Sequence, residues 1–197
     1  RVPIEGEEKD VAVEPYVLGV WLGDGTNTKP QICACASDRV TLDECRKFYP
    51  NGAEWVHKDT GVITASYIGL YKDLREYGMC YPHKTEKHIP EIYLTASHQQ
   101  RLELLAGLID TDGYVDKKHH RIVFTTADPK LKSSFEELIA TLGWRTTTCT
   151  FKPRVSSSGV VGRHEYWQIA FNPTEYIPCR IERKRLTDFA KQRRIAI

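Results

Sequence analysis

Leu105-Ala-Gly-Leu-Ile-Asp-Thr-Asp-Gly113 is an apolar stretch ending in Asp-Gly, and it has an earlier partner in Leu18-Gly-Val-Trp-Leu-Gly-Asp-Gly25. Both read as short helices that are apolar nearly all round, and a helix without a polar face has to be buried. Each carries small residues four apart, Gly19 with Gly23 and Gly107 with Thr111. Such a stripe lets two helix backbones approach closely, so the two stretches are expected to pack side by side and parallel. Pro15 announces the first helix, and Ser97-His-Gln-Gln100 reads as a capping box that opens the second.

The flanks repeat as well. Behind Asp24 come an alternating run, Ile32 to Ala36, and then Ser37-Asp38; behind Asp112 come Arg121 to Thr126 and then Ala127-Asp128-Pro129. Asp38 and Asp128 suit the N-cap of a following helix, and Pro129 suits its first position. Trp55 lies 31 residues past Asp24, and Trp144 lies 32 past Asp112. Pro90 and Pro178 close Ile-Pro pairs 66 residues beyond their respective aspartates. Each coincidence alone is cheap, but their common order and spacing predict two copies of one unit. The fold class is therefore α+β, with pseudo-symmetric halves at 1–94 and 95–197. Each half reads as helix, strands, helix, strands, helix, with strands such as Gly61–Tyr67 and His164–Phe171.

Composition sets outer bounds. The chain has 197 residues, of which 41% are hydrophobic, enough for a real core. Six cysteines (Cys33, Cys35, Cys45, Cys80, Cys149, Cys179) form no C-x-x-C pair, which fits reduced thiols in an intracellular protein. No apolar run reaches membrane-span length, and the opening Arg-Val-Pro-Ile-Glu-Gly-Glu-Glu is too polar for a secretory signal. An intracellular location is expected, nuclear in a eukaryote. The net charge of +2 announces no partner by itself, but Arg180 to Arg194 holds seven cations against two acids, +5, leaving −3 elsewhere.

If the two apolar helices run parallel, their C-terminal ends coincide and Asp24 and Asp112 crowd one site. Like charges repel there, each acid meets the negative end of a helix dipole, and each adjoins an apolar core. A divalent cation removes all three objections. Mg²⁺ suits the position because it prefers oxygen ligands and keeps waters, and Mn²⁺ is expected to substitute. The main-chain carbonyls of Gly23 and Thr111, unpaired at helix ends, are expected as further ligands. Asp110 has Leu22 as its counterpart, breaks the symmetry, and is read as structural.

With these residues in place, Leu105–Gly113 resembles the motif of the LAGLIDADG homing endonucleases, differing at one position, and Leu18–Gly25 resembles its degenerate first copy. Lys87-His-Ile-Pro90 is similar to the Lys-x-Ile-Pro element that precedes the second motif in intein-encoded members, and Tyr114-Val115 extends the likeness. The resemblance implies a monomer of two αββαββα halves, with the motif helices at their interface and the sheets forming a saddle over double-stranded DNA. Asp24 and Asp112 would then bind metal and cut one strand each within a long asymmetric site, and Lys87 would serve the reacting phosphate. The corresponding offset in the second half falls on Glu175, so Lys184, from the nearby Arg183-Lys184-Arg185, is taken as the second lysine.

Lys117, Lys118, Arg121, Lys152, Arg154 and Arg163 flank the second half's strands and are the candidate DNA contacts, while Val155–Gly159 reads as a hairpin loop. His83, His88, His119 and His120 lack zinc spacing. Arg1 and Ile197 fit an endonuclease domain without a splicing domain. The alternatives are a maturase of the same fold that binds intron RNA, and a DNA-binding module that does not cut.

Overall fold

The computed structural model describes residues 2–80, 86–153 and 164–187. Its centre is the pair of apolar helices, α1 (Pro15–Asp24) and a second motif helix at His98–Asp112. Glu14 caps the first by accepting from Val17 N at 3.0 Å, with Pro15 in the first turn. Ser97 and Gln100 close the expected capping box on the second. A Cβ on Gly19 would stand 2.3 Å from Leu104 O, and one on Gly107 would stand 2.3 Å from Tyr16 O. Further along, Gly23 faces Thr111. This register makes the pair parallel and backbone-tight, and it brings both C-terminal ends together.

Around α1 the first half builds β1 (Gln31–Ala34), α2 (Val40–Phe48), β2 (Glu54–Val56), β3 (Ile63–Ser66), α3 (Leu70–Glu76) and α4 (Glu91–Leu94). The second half follows its motif helix, α5 (His98–Asp112), with β4 (Gly113–Asp116), β5 (Arg121–Thr126), α6 (Pro129–Thr141), β6 (Thr146–Phe151) and β7 (Tyr166–Phe171), then a 3₁₀ turn at Glu182–Lys184. Both sheets are antiparallel, ordered β1-β3-β2 and β4-β5-β7-β6. β5, β7 and β6 correspond in place to β1, β3 and β2. Ile122 and Phe124 of β5 and Ile169 and Phe171 of β7 are buried on one face, where Phe135 of α6 stacks on Phe124 with ring centroids 4.2 Å apart. Each such buried side chain stabilises the fold by roughly 1.5–3 kcal/mol.

Two local expectations need correction. The first half has one strand before α2, not two: the counterpart of β4 is reduced to a bridge between Gly25 and Ile32. Thr26 N donates to Gln31 O at 2.8 Å and Lys29 N to Thr26 O at 3.3 Å, so the chain reverses at once, and Pro30 has no N–H to extend the ladder. Asp38 does not cap α2; it sits in a short 3₁₀ turn and its carboxylate is taken by Arg183. The repeated tryptophans also differ: Trp144 is buried, stacked on Phe171 and bonded to Thr174, whereas Trp55 is 39% exposed. After Pro178 the chain makes the 3₁₀ turn, and everything past residue 187 lies outside the described residues.

Candidate metal and nucleic-acid site

The joined ends of α1 and α5 carry Asp24 and Asp112. Both residues are exposed to solvent, yet the surrounding protein strips part of the hydration from their carboxyls. That lost hydration, and then the Asp112 charge, push Asp24 up to about 6. Burial likewise raises Asp112, against the pull of Lys87 and Lys184. Two carboxyls that resist ionisation beside each other form a site short of positive charge, even with two lysines at hand.

The lysines sit at equivalent places. Lys87 Nζ donates to the main-chain oxygens of Trp21 (3.0 Å), Gly23 (3.2 Å) and Gly25 (2.7 Å), closing the end of α1. It also lies 5.1 Å from the centre of the Trp21 ring. Lys184 Nζ donates to Asp110 O at 2.7 Å and Thr111 O at 2.6 Å, closing the end of α5. An ammonium at a helix C-terminus neutralises the dipole's negative end, which is where the two acids stand. Burial lowers both lysines, Lys87 to about 8. All three N–H groups of Lys87 are engaged, whereas Lys184 uses two of its three among the described residues.

One sequence expectation fails here. The carbonyls of Gly23 and Thr111 are not unpaired, because each accepts from a lysine. A carbonyl oxygen has a second lone pair, so the bond restricts but does not abolish its capacity as a ligand. Among the described residues no group of three or more His, Cys, Asp or Glu side chains is placed to hold a metal. A cation at this centre would therefore rest on two carboxylates completed by main-chain, water or substrate oxygens, a set that fits a hard divalent ion.

Asp110 has the structural part expected of it. Its buried carboxylate accepts from Tyr16 OH (2.9 Å), Arg180 N (2.6 Å) and Ile181 N (3.2 Å), which ties down the segment leading to Lys184.

Residues 99–160 match the family model of the LAGLIDADG-like domain. The chain carries a LAGLIDADG-like domain. It is 34% identical over 168 residues to the replicative DNA helicase DnaB of Mycobacterium intracellulare, covering 85% of this chain and 24% of that protein. It is 26% identical over 170 residues to the homothallic switching endonuclease of Saccharomyces cerevisiae, covering 71% and 28% respectively. The chain thus spans less than a third of either relative. Among solved structures, a variant of the homing endonuclease I-DmoI matches with a TM-score of 0.51 at 14% identity, over 82% of this chain and 88% of that one. I-DmoI in complex with DNA and Ca matches with the same score, over 82% and 83%. At that identity the likeness concerns the fold: two antiparallel sheets around paired LAGLIDADG helices.

Beside the LAGLIDADG helices a cleft of about 860 Å³ opens between the halves, lined by Gly23, Lys87, Asp112, Asp128, Glu165 and Trp167 among others. The outer face of the second half's sheet adjoins it through Thr125 and Tyr166. In the second half that face shows Tyr114, Arg121, Thr147 and Cys149 exposed. In the first, Cys33, Thr64 and Trp55 lie in register across β1, β3 and β2, and His57 Nε2 bonds Thr64 Oγ1 at 3.0 Å. Of the candidate DNA contacts, Lys117 and Lys118 are exposed in the turn between β4 and β5, and Lys152 is exposed just past β6. Arg121 is exposed but donates to Asp116 at 3.0 Å. Arg154, Arg163, the Val155–Gly159 loop and His83 lie outside the described residues, as do the last three cations of the basic segment.

Sequence reading missed Trp21 as the ring beneath Lys87, and it missed the second role of Asp128. A cap occupies one carboxylate oxygen, and the other, which here accepts from Lys87 N, was the overlooked signal.

Proposed function

We propose that this chain is a site-specific endonuclease that hydrolyses both strands of double-stranded DNA with divalent metal ions held at Asp24 and Asp112. The observation that carries the reading is the meeting of two reluctant carboxyls at the joined ends of α1 and α5, with one lysine fixed at each end. Bound there, a divalent cation such as Mg²⁺, or Mn²⁺ in its place, supplies an activated water and neutralises charge on the phosphate. Asp24 and Asp112 would hold it as carboxylates, and its charge would favour their ionised forms. Lys87 and Lys184 offset the negative charge of the helix ends and of the approaching phosphate; Lys184 has an N–H to give a phosphate oxygen, while Lys87 acts through its field unless it releases a carbonyl. The remaining lone pairs of the Gly23 and Thr111 carbonyls would complete the oxygen set.

The exposed sheet faces suit a DNA duplex, with Lys117, Lys118, Arg121, Lys152, Arg154 and Arg163 contacting phosphates and strand side chains reading bases over a long asymmetric site. Two fused halves make one such centre, so the chain works as a monomer, and the Lys87–Pro90 element supports an intein-encoded origin. No helix among the described residues is long and apolar enough to cross a membrane.

The test is incubation of a randomised duplex library with Mg²⁺ or with EDTA, followed by sequencing of the ends. Metal-dependent breaks at one long motif are expected. Binding without cleavage would replace the nuclease with a non-cutting module, and preference for a structured intron RNA would replace it with a maturase.

A further inference from the structure

The segment that carries Lys87 lies in the first half by sequence, yet it is mounted on the second. Its main-chain N–H groups at Lys87 and Ile89 donate to Asp128 Oδ2 at 2.9 Å and to Ser134 Oγ at 3.0 Å, at the cap and in the second turn of α6. Alongside, Lys130 pairs with Glu86 at 2.7 Å. The other oxygen of Asp128 caps α6, accepting from Lys130 N at 2.9 Å and Leu131 N at 3.3 Å. One carboxylate thus closes a helix and grips the backbone of a residue 41 positions earlier. From that grip the Lys87 side chain crosses back to the first half and meets the three carbonyls at the end of α1.

We propose that Asp128 is a positioning residue for Lys87: by accepting the Lys87 main-chain N–H it fixes the ammonium over the end of α1, so that this lysine is seated only when the two halves are docked. Residues 86–90 have no helix or strand of their own to hold them. An ammonium on a flexible four-carbon stem keeps one place only if its own backbone is fixed. A carboxylate is the suited anchor because its charge strengthens the bond and its two oxygens serve two partners. Serine or asparagine would cap α6 nearly as well, but neither has a second acceptor oxygen to turn toward Lys87 N. Lys184 is held differently, through Arg180 N and Ile181 N on Asp110 of its own half, so loss of the Asp128 grip leaves it in place.

The seating is a property of the protein alone; only its catalytic consequence rests on the proposed nuclease. The test is Asp128→Asn, with Asp128→Ser as a second cap-preserving variant. Three quantities are read: the unfolding midpoint, the rate at which each lysine of the DNA-free protein is acetylated, followed by peptide mass spectrometry, and strand-resolved nicking of the target duplex. A midpoint near wild type is expected, with Lys87 acetylated about tenfold faster or more, as for loss of a charge-assisted bond, and Lys184 unchanged. One strand should then be cut about tenfold more slowly or worse, the other at the wild-type rate. Wild-type acetylation of Lys87 in both variants overturns the proposal. So does a general loss of protection that includes Lys184, which would make Asp128 merely structural. If Lys87 is freed selectively while the wild-type protein cuts neither strand, the seating stands and the nuclease reading falls.

Discussion

Asp24 has a carboxyl that burial and the Asp112 charge push up to about 6, from an ordinary 3.8. The folded state holds this proton more tightly than the unfolded chain does, so folding is favoured at low pH and loses that advantage as pH rises through about 6. Without metal, Asp24→Asn should therefore raise the unfolding temperature at neutral pH and change it little near pH 4, where the wild-type acid is largely neutral. Thermal melts at both pH values check this, and added Mg²⁺ should stabilise the wild type far more than the variant. Lys87 makes a separate prediction. Lys87→Met keeps most of the buried stem but leaves the Gly23 and Gly25 carbonyls uncapped and strips the Trp21 carbonyl of one of its two donors, so denaturant unfolding should show a loss of about 1–3 kcal/mol. Single-turnover cleavage should fall much more than duplex affinity.

The helices are the elements most legible from sequence. Pro15, the Ser97/Gln100 box, and the pairs Gly19/Gly23 and Gly107/Thr111 state start, packing face and direction, and each holds in the structure. Strands were legible as runs but not at their ends: Ile32–Ala36 shifts to Gln31–Ala34, because pairing with β3 sets the limits and no local signal reports it. The missing first strand was hidden for a related reason, since the turn through Thr26 to Pro30 reads as an ordinary loop until its hydrogen bonds are seen. The helix contact carries a prediction at this scale. Gly19→Ala puts a methyl 2.3 Å from Leu104 O, a backbone atom that cannot step aside, so α1 and α5 must separate. Overpacking of this kind costs about 1–3 kcal/mol, to be measured by denaturant unfolding, and it should also weaken Mg²⁺ binding by spreading the two acids.

Across the whole molecule the halves are joined by more than the helix pair. Arg183 reaches 145 positions back to grip Asp38 through two bonds, 2.6 and 2.7 Å, one residue away from Lys184. That grip holds Asp38 below the ordinary carboxylate value, so its contribution is present at neutral pH and is lost as pH falls below about 3.8, opposite in sign to Asp24. Because the Arg183 side chain is 55% exposed, a double-mutant cycle with Asp38→Ala and Arg183→Ala should give a coupling of about 1 kcal/mol or less. Such long-range pairings were not legible: Asp38 read as a helix cap, and Lys184 stood at an offset from Asp112 that its partner Lys87 did not foretell. The acids were legible because their chemistry is tied to the repeat itself.

The measurement that bears most directly on this account is strand-resolved cleavage of the library-selected duplex by the wild type, Asp24→Asn and Asp112→Asn in Mg²⁺. A metal-dependent double-strand break by the wild type is predicted, with each variant losing double-strand cutting while still binding the duplex. Double-strand cutting at the wild-type rate by either variant would contradict a centre built from both acids.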